Sequence, residues 1–191
     1  MISNASPLCR LAEVIPGFSE RGTVDRQAGA LAIVQARDLR EDESITWSAL
    51  ARCDDTTGAR KAMLRDGDLL VTTRAMNLRT VAIATPPPDV CAGAPFAIVR
   101  PHLLQVDPRY LLWYLNSPST KQRLRACFRG TTMPFLGLRE LADFEVRLPP
   151  LPRQRAIAVA AAAAQRLSRL AASYEQSVHH LLDAASRVPA P

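Results

Sequence analysis

The sequence has few of the residues that build catalytic or metal sites. Its 191 residues include four cysteines, none in a C-x-x-C pair, and three histidines, which do not form a metal-ligand set. The eight glycines include no G-x-G motif, which excludes the glycine-rich loops of nucleotide-binding wound α/β folds. The one strongly apolar run, 156–164, is about half as long as a membrane span. We therefore expect no catalytic residue, no metal and no cofactor in this chain, and reduced thiols in a cytoplasmic protein.

Lysine is also scarce, although the chain is basic. The formal net charge is +6, and 22 of the 24 basic residues are arginine, with Lys61 and Lys121 as the two lysines. An arginine guanidinium can donate two parallel hydrogen bonds to a guanine edge or a phosphate, so this composition is compatible with a nucleic-acid partner. A GC-rich genome produces the same bias in proteins that bind no polyanion. Composition alone leaves both interpretations open.

Glycine and proline are absent from 153–187 but frequent before it, and this contrast divides the chain. The earlier part contains short apolar runs bounded by turn residues, which predict strands at 31–36, 68–73, 80–84 and 95–99. Two short helices are expected, one starting at Pro108 and one from Pro118 to about Phe128 with Ser117 as its N-cap. The alternating segment 144–148 predicts a last strand, which the prolines of 149–152 end. The predicted fold class is α+β: a β-rich domain with short helices over 1–150, one long helix over 151–188, and a tail over 189–191.

The long helix carries an apolar seam. Apolar residues recur at spacings of three and four, which is typical of a coiled coil. The seam residues are Ile157, Ala160, Ala164, Leu167, Ala171, Tyr174, Val178, Leu181 and Ala185. The pattern favours a partner helix in a second chain, and the alternative is an amphipathic helix that lies on its own domain.

Six segments, in this order, resemble the specificity subunits of type I restriction-modification systems. They are RLAEVIPGF at 10–18, LRDGDLLV at 64–71, AIVRP at 97–101, VDPRYLLWYLNS at 106–117, RGTT at 129–132 and VRLPPLPRQRAIA at 146–158. The last segment is the most specific, because it is similar to the family's junction of strand, prolines and Gln-x-x-Ile that leads into a long helix.

The resemblance implies a non-catalytic DNA target-recognition domain at 1–150 and a helix for dimerisation and methyltransferase docking. The docking residues would be Pro150, Leu151 and Gln154. Double-stranded DNA, a methyltransferase subunit and a helicase-nuclease restriction subunit would be the partners. S-adenosylmethionine, ATP and magnesium would belong to those protein partners. Full family subunits have two recognition domains and two such helices, so the chain resembles a half-subunit, expected to form a homodimer on a bipartite DNA target.

Two segments combine donors with turn residues and are predicted to contact DNA. The predicted contacts are Arg74, Asn77, Arg79, Lys121, Arg125, Arg129, Thr131 and Thr132. The alternative is that Arg74 and Arg79 only solvate a hairpin and that the two threonines cap the next turn. The alternative from a different class of function is a coiled-coil scaffold that binds no DNA. A salt-dependent gel shift would distinguish it from a DNA-binding protein.

Overall fold

The computed structural model describes residues 4–19, 28–40, 44–74, 78–132 and 134–186, apart from the side chains of 181 and 183–186. Its elements, in chain order, are β1 (Asn4–Pro7), α1 (Leu8–Leu11), β2 (Ala12–Pro16), β3 (Leu31–Val34), β4 (Ala51–Cys53), α2 (Thr57–Lys61), β5 (Leu69–Thr72), β6 (Thr80–Ala82), β7 (Val90–Ala92), β8 (Phe96–Pro101), α3 (Pro108–Asn116), α4 (Pro118–Ala126), α5 (Leu138–Ala142), β9 (Glu145–Leu148) and α6 (Leu151–Ser186). The predicted α+β class, with a β-rich region followed by one long helix, is confirmed.

A four-stranded antiparallel sheet, in the order β2-β8-β5-β6, lies at the centre. Strands β5 and β8 are continuous apolar runs because both of their faces are covered. On β5, Leu69 and Val71 point into one hydrophobic cluster and Leu70 points into the other. The alternation of side chains along a strand thus divides the interior into two cores.

The first core lies between this sheet and the short helices. It contains residues of α3, α4, α5 and β9, together with Ala158 from the start of α6. The second core lies between the opposite face of the sheet and the three-stranded sheet β4-β3-β7, in which β3 and β7 are parallel. Helices α3, α4 and α5 and the start of α6 therefore share one side of the central sheet, whereas α2 packs in the second core.

The predicted helix starts are confirmed, and several element boundaries differ. The Asp107 carboxylate accepts the Arg109 and Tyr110 N–H groups, and the Ser117 hydroxyl accepts the Thr120 N–H, so both caps precede a proline at the first helical position. Helix α4 ends at Ala126, before the expected Phe128. The strands β1, β2, β4 and β7 were not predicted, because each is short or carries polar and proline residues.

Helix α6 starts two residues before the segment free of glycine and proline. The Pro150 carbonyl accepts the Arg153 and Gln154 N–H groups, so Pro152 lies within the first turn, where a missing N–H costs little. Strand β9 ends at Leu148, as predicted, and Pro149 and Pro150 follow it, whereas Leu151 and Pro152 already belong to α6. Residues 187–191, including the expected tail, lie outside the described residues.

Among the described residues, α6 packs on the rest of the chain chiefly through its first turns. Gln154 and Ala158 are buried, and Ile157 and Ala161 are half-buried. From 162 onward every described side chain is exposed except Val178, which is half-buried. At 1.5 Å per residue, the exposed part of the helix is a rod of roughly 37 Å.

Candidate nucleic-acid interface

The predicted contact residues Arg129, Thr131 and Thr132 lie on a tight loop. Arg129 and Phe135 exchange two backbone hydrogen bonds of 2.9 Å, which close the loop at its base. Gly130 has φ +87°, a left-handed conformation that favours glycine. The two threonines are exposed at the tip. The loop therefore presents two hydroxyls next to a guanidinium.

Arg129 is held at the base of this loop by an ion pair with Glu140. The Glu140 carboxylate lies against the backbone of Gly137, where a Cβ atom would come within 1.9 Å of Oε2. A larger residue at 137 would displace the carboxylate. The Arg129 side chain is still 67% exposed, so the pair orients the guanidinium without covering it.

The fold brings the two predicted segments together. The Leu136 N–H donates to the Thr73 carbonyl at 2.8 Å, so the end of β5 lies against the loop that contains Arg129. Arg74 follows directly and is exposed. Asn77 lies outside the described residues.

Arg79, a predicted DNA contact, forms hydrogen bonds within the chain. Its backbone N–H donates to the Thr72 hydroxyl at 2.9 Å, and its Nη2 donates to the Arg40 carbonyl at 2.6 Å. The hydrogen bond brings Arg40, which is exposed, to the same edge. Arg40 is a candidate contact that sequence reasoning missed, since only the tertiary contact with Arg79 reveals it.

The predicted DNA contacts around α4 and the loop that follows it lie on two different surfaces. Lys121 lines a groove between α3 and α6, whereas Arg129 lines a cavity of about 660 Å³ beside α5. Arg125 is exposed on α4. The neighbouring Arg123 supports the fold, because it donates to the Tyr114 hydroxyl at 3.0 Å and to the Glu145 carbonyl at 3.1 Å, and stacks on Phe144.

The predicted seam of α6 is exposed over most of its described length. Leu167 is 68% exposed and Tyr174 is 72% exposed. With 3.6 residues per turn, these side chains lie on the side of the helix away from Gln154 and Ala158. Ile157 stands apart from the rest because it packs partly on the first core. The side chains of Leu181 and Ala185 are outside the described set.

Comparison with solved structures shows which fold the chain has. No family model and no curated protein matched the sequence. A structure from work on complex assembly and conformational transition of the type I restriction-modification system superimposes with a TM-score of 0.67 over 93% of this chain, at 21% identity. The HsdS subunit from Thermoanaerobacter tengcongensis gives 0.61 over 86% at 21% identity, and the S subunit from M. genitalium gives 0.57 over 88% at 16% identity.

The chain has the fold of a type I S subunit. The resemblance derived from the sequence is therefore confirmed at the level of the fold. The chain spans 43%, 37% and 41% of the lengths of these three solved chains.

The junction that leads into α6 of this S-subunit fold is fixed by Gln154. Gln154 is 1% exposed; its Oε1 accepts the Asp107 N–H at 2.9 Å, and its Nε2 donates to the Pro149 carbonyl at 2.8 Å. Both ends of the Gln154 amide therefore form hydrogen bonds within the chain, and these bonds hold the start of α6 against the start of α3. Of the predicted docking residues, Pro150 is exposed and Leu151 is half-buried, so direct docking contacts at the junction would rest on these two.

Tyrosines of α3 cover the outer edge of β9, which pairs only with β1 among the described strands. The Tyr110 hydroxyl donates to the Arg147 carbonyl at 2.6 Å, and the Tyr114 hydroxyl accepts the Arg147 N–H at 3.2 Å. Burial, followed by the neighbouring Tyr114, raises the pKa of Tyr110 to about 12. These hydroxyls satisfy backbone groups that an exposed strand edge would leave unpaired.

The described part of the chain shows neither a group of three potential metal-ligating side chains nor a helix long and apolar enough to cross a membrane.

Proposed function

We propose that this chain is a DNA-sequence specificity module of the type I restriction-modification kind, with 1–150 as its target-recognition domain. The observation that carries the proposal is the S-subunit fold over 93% of the chain. The arginine-dominated charge and the loop at Arg129 support it. In this proposal the chain has no turnover of its own.

The DNA-contacting edge would consist of Arg74, Arg129 and the threonine tip, with Arg40 beside Arg79. Exposed arginines at loop bases suit phosphates and guanine edges, whereas hydroxyls suit either a phosphate or a base. Arg125 extends this positive surface along α4. Lys121 is assigned to the α3–α6 groove instead.

The partners in this proposal are a DNA methyltransferase, docked at the exposed Pro150 and along α6, and a restriction subunit. S-adenosylmethionine, ATP and magnesium would be bound by those subunits. The site of action would be the cytoplasm, where such systems meet DNA.

We infer that the exposed seam of α6 packs against a second long helix. Among the described residues every other helix has at most nine residues, so none can cover the seam. We assign this position to α6 of a second copy, in antiparallel orientation. The 36 residues of α6 span roughly 54 Å, or about one and a half turns of DNA, so two recognition domains would meet two inverted half-sites.

A gel shift with randomised duplexes, followed by sequencing of the bound fraction, tests the central proposal. We expect an enriched motif and a linear fall of log affinity with log salt, because bound phosphates release counterions. The control replaces Arg74 and Arg129 together by alanine, which should weaken binding and reduce the salt slope. Failure to bind duplex at about 50 mM salt, alone and with the methyltransferase, would favour the scaffold alternative.

A further inference from the structure

Phe135 is an exposed aromatic residue beside Arg129, on the proposed DNA-contacting edge. Its side chain is 41% exposed, and among the described residues it packs in neither of the two cores. Single exposed apolar side chains are common on protein surfaces, so what such a residue does depends on where it lies. The backbone around Phe135 defines that position closely.

Phe135 is held next to Arg129 at the base of the loop. The two residues are directly opposed in an antiparallel bridge, and each donates its N–H to the carbonyl of the other at 2.9 Å. Opposed residues project from the same face of such a bridge, with Cβ atoms about 5 Å apart. The next residue, Leu136, is buried and donates its N–H to the Thr73 carbonyl. An aromatic ring and a guanidinium are therefore fixed side by side.

These two side chains recognise different groups on DNA. A guanidinium can donate two hydrogen bonds to the O6 and N7 acceptors of guanine, whereas a phenyl ring can make only apolar contacts. The apolar group that base edges present in the major groove is the C5 methyl group of thymine. Successive base pairs lie about 3.4 Å apart along the duplex. A side chain about 5 Å from Arg129 therefore reaches the base pair next to the guanine.

The position of Phe135 argues against its insertion between base pairs. Apolar side chains that unstack a base step act as wedges, and a wedge has to protrude beyond its surroundings. Phe135 lies at the base of the loop, whereas the exposed Thr131 and Thr132 form the tip. The tip would meet the duplex before the phenyl ring could enter the stack. Contact with a base edge in the groove fits this geometry better.

We propose that Phe135 reads the C5 methyl group of a thymine that adjoins the guanine bound by Arg129. The inference rests on the proposed function and adds the identity of one base in the half-site. Arg129 selects guanine through two hydrogen bonds, and Phe135 selects thymine at the neighbouring base pair through an apolar contact. Uracil, which differs from thymine only by the missing methyl group, is then bound less tightly.

The test begins with the motif that selection from randomised duplexes enriches. R129A identifies the guanine, since it should lose the preference for that base, and we expect a thymine beside it. Deoxyuridine in place of this thymine should weaken wild-type binding about fourfold, as expected for one buried group of methyl size. 5-Methylcytosine at the same position should bind more tightly than cytosine by a similar factor. Fluorescence anisotropy measures both ratios.

Variants assign the effect to Phe135. F135A should bind the thymine and deoxyuridine duplexes equally and keep its preference for the neighbouring guanine, which also shows that it is folded. F135L retains an apolar side chain and should still prefer thymine. L104A is the matched control, because Leu104 is 92% exposed between β8 and α3, outside the proposed DNA-contacting edge. It should show the wild-type ratio.

The outcomes separate this inference from the proposed function. A selected motif that the wild type binds equally with thymine and deoxyuridine beside the guanine would overturn the inference alone. So would a thymine preference that F135A retains. Selection that enriches no motif would contradict the proposed function as well. A rise in the fluorescence of 2-aminopurine beside the site, abolished in F135A, would show insertion between base pairs and overturn recognition of the methyl group.

Discussion

At the scale of single residues, Arg129 is the proposed DNA contact whose position the structure defines most sharply. Its ion pair with Glu140 sets the direction of the guanidinium, while its exposure makes the pair itself worth at most about 0.5 kcal/mol of stability. We predict that R129A loses roughly 1–3 kcal/mol of binding on the selected DNA target, and less on a scrambled duplex, because a bidentate base contact is lost. Fluorescence anisotropy with both duplexes measures this difference.

Arg139 provides the control for Arg129, since it lines the same cavity but is largely exposed in a pair with Asp143. R139A should change both affinities little. Equal losses on the target and the scrambled duplex in R129A would show that Arg129 contacts a phosphate and carries no sequence information.

Because of Tyr110, the free energy of unfolding is expected to depend on pH above neutrality. Its pKa of about 12 in the folded chain exceeds the value near 10 of a solvated tyrosine. The protonated Tyr110 hydroxyl therefore contributes fully to the free energy of unfolding below about pH 10. This contribution is lost as the pH rises through 12, because the unfolded chain releases the proton first. We predict that Y110F lowers the free energy of unfolding by about 1 kcal/mol at pH 8, through loss of the hydrogen bond to Arg147.

Urea unfolding at pH 8, 10 and 11 measures both effects. Between pH 10 and 11 the stability of Y110F should fall less steeply than that of the wild type. Y174F is the matched control, because Tyr174 is exposed on α6 and its loss should change neither quantity. Parallel pH profiles for Y110F and the wild type would contradict the assigned pKa.

At the scale of elements, the junction between α3 and α6 depends on one buried amide. Q154L keeps the size of the side chain but leaves the Asp107 N–H and the Pro149 carbonyl without their partners. Each buried unsatisfied group costs about 1–3 kcal/mol, so we predict a loss of roughly 2–5 kcal/mol. Thermal unfolding should show a Tm lower by about 5–15 °C. Q165L, on an exposed stretch of the same helix, should leave the Tm nearly unchanged.

The elements also show why some features could be predicted and others could not. The starts of α3 and α4 could be predicted from local chemistry, since Asp107 and Ser117 each cap a helix whose first residue is proline. Strands β5 and β8 could be predicted because each contains a continuous apolar run. The pairing of β1 with β9 could not be predicted, because it joins residues about 140 positions apart and β1 has no apolar pattern. Likewise, the burial of Gln154 depends on a backbone N–H of α3, which periodicity does not reveal.

At the scale of the whole molecule, the candidate site combines local and nonlocal contributions. The sequence indicated two segments that we propose contact DNA. The hydrogen bond from Leu136 to Thr73 brings them together, whereas the position of Lys121 beside α6 separates it from Arg129. The projecting part of α6 carries exposed apolar side chains, among them Leu167, Leu170 and Tyr174. In the proposed function, the way in which the molecule binds a bipartite target therefore depends on what covers that helix.

The last prediction concerns assembly. Leu167 and Tyr174 are exposed on the seam of α6, and a second copy of α6 in antiparallel orientation would bury both. Two glutamates there would place like charges inside the seam, so L167E/Y174E should be monomeric by light scattering at tens of micromolar, with the rest of the chain still folded. S173E, on the polar side of the same helix, is the control and should remain dimeric. Because two-fold symmetry places the recognition domains at opposite ends of the paired helices, the wild type should protect two inverted half-sites and the double variant only one. A wild type that stays monomeric at these concentrations, both free and on DNA, would rule out this assembly.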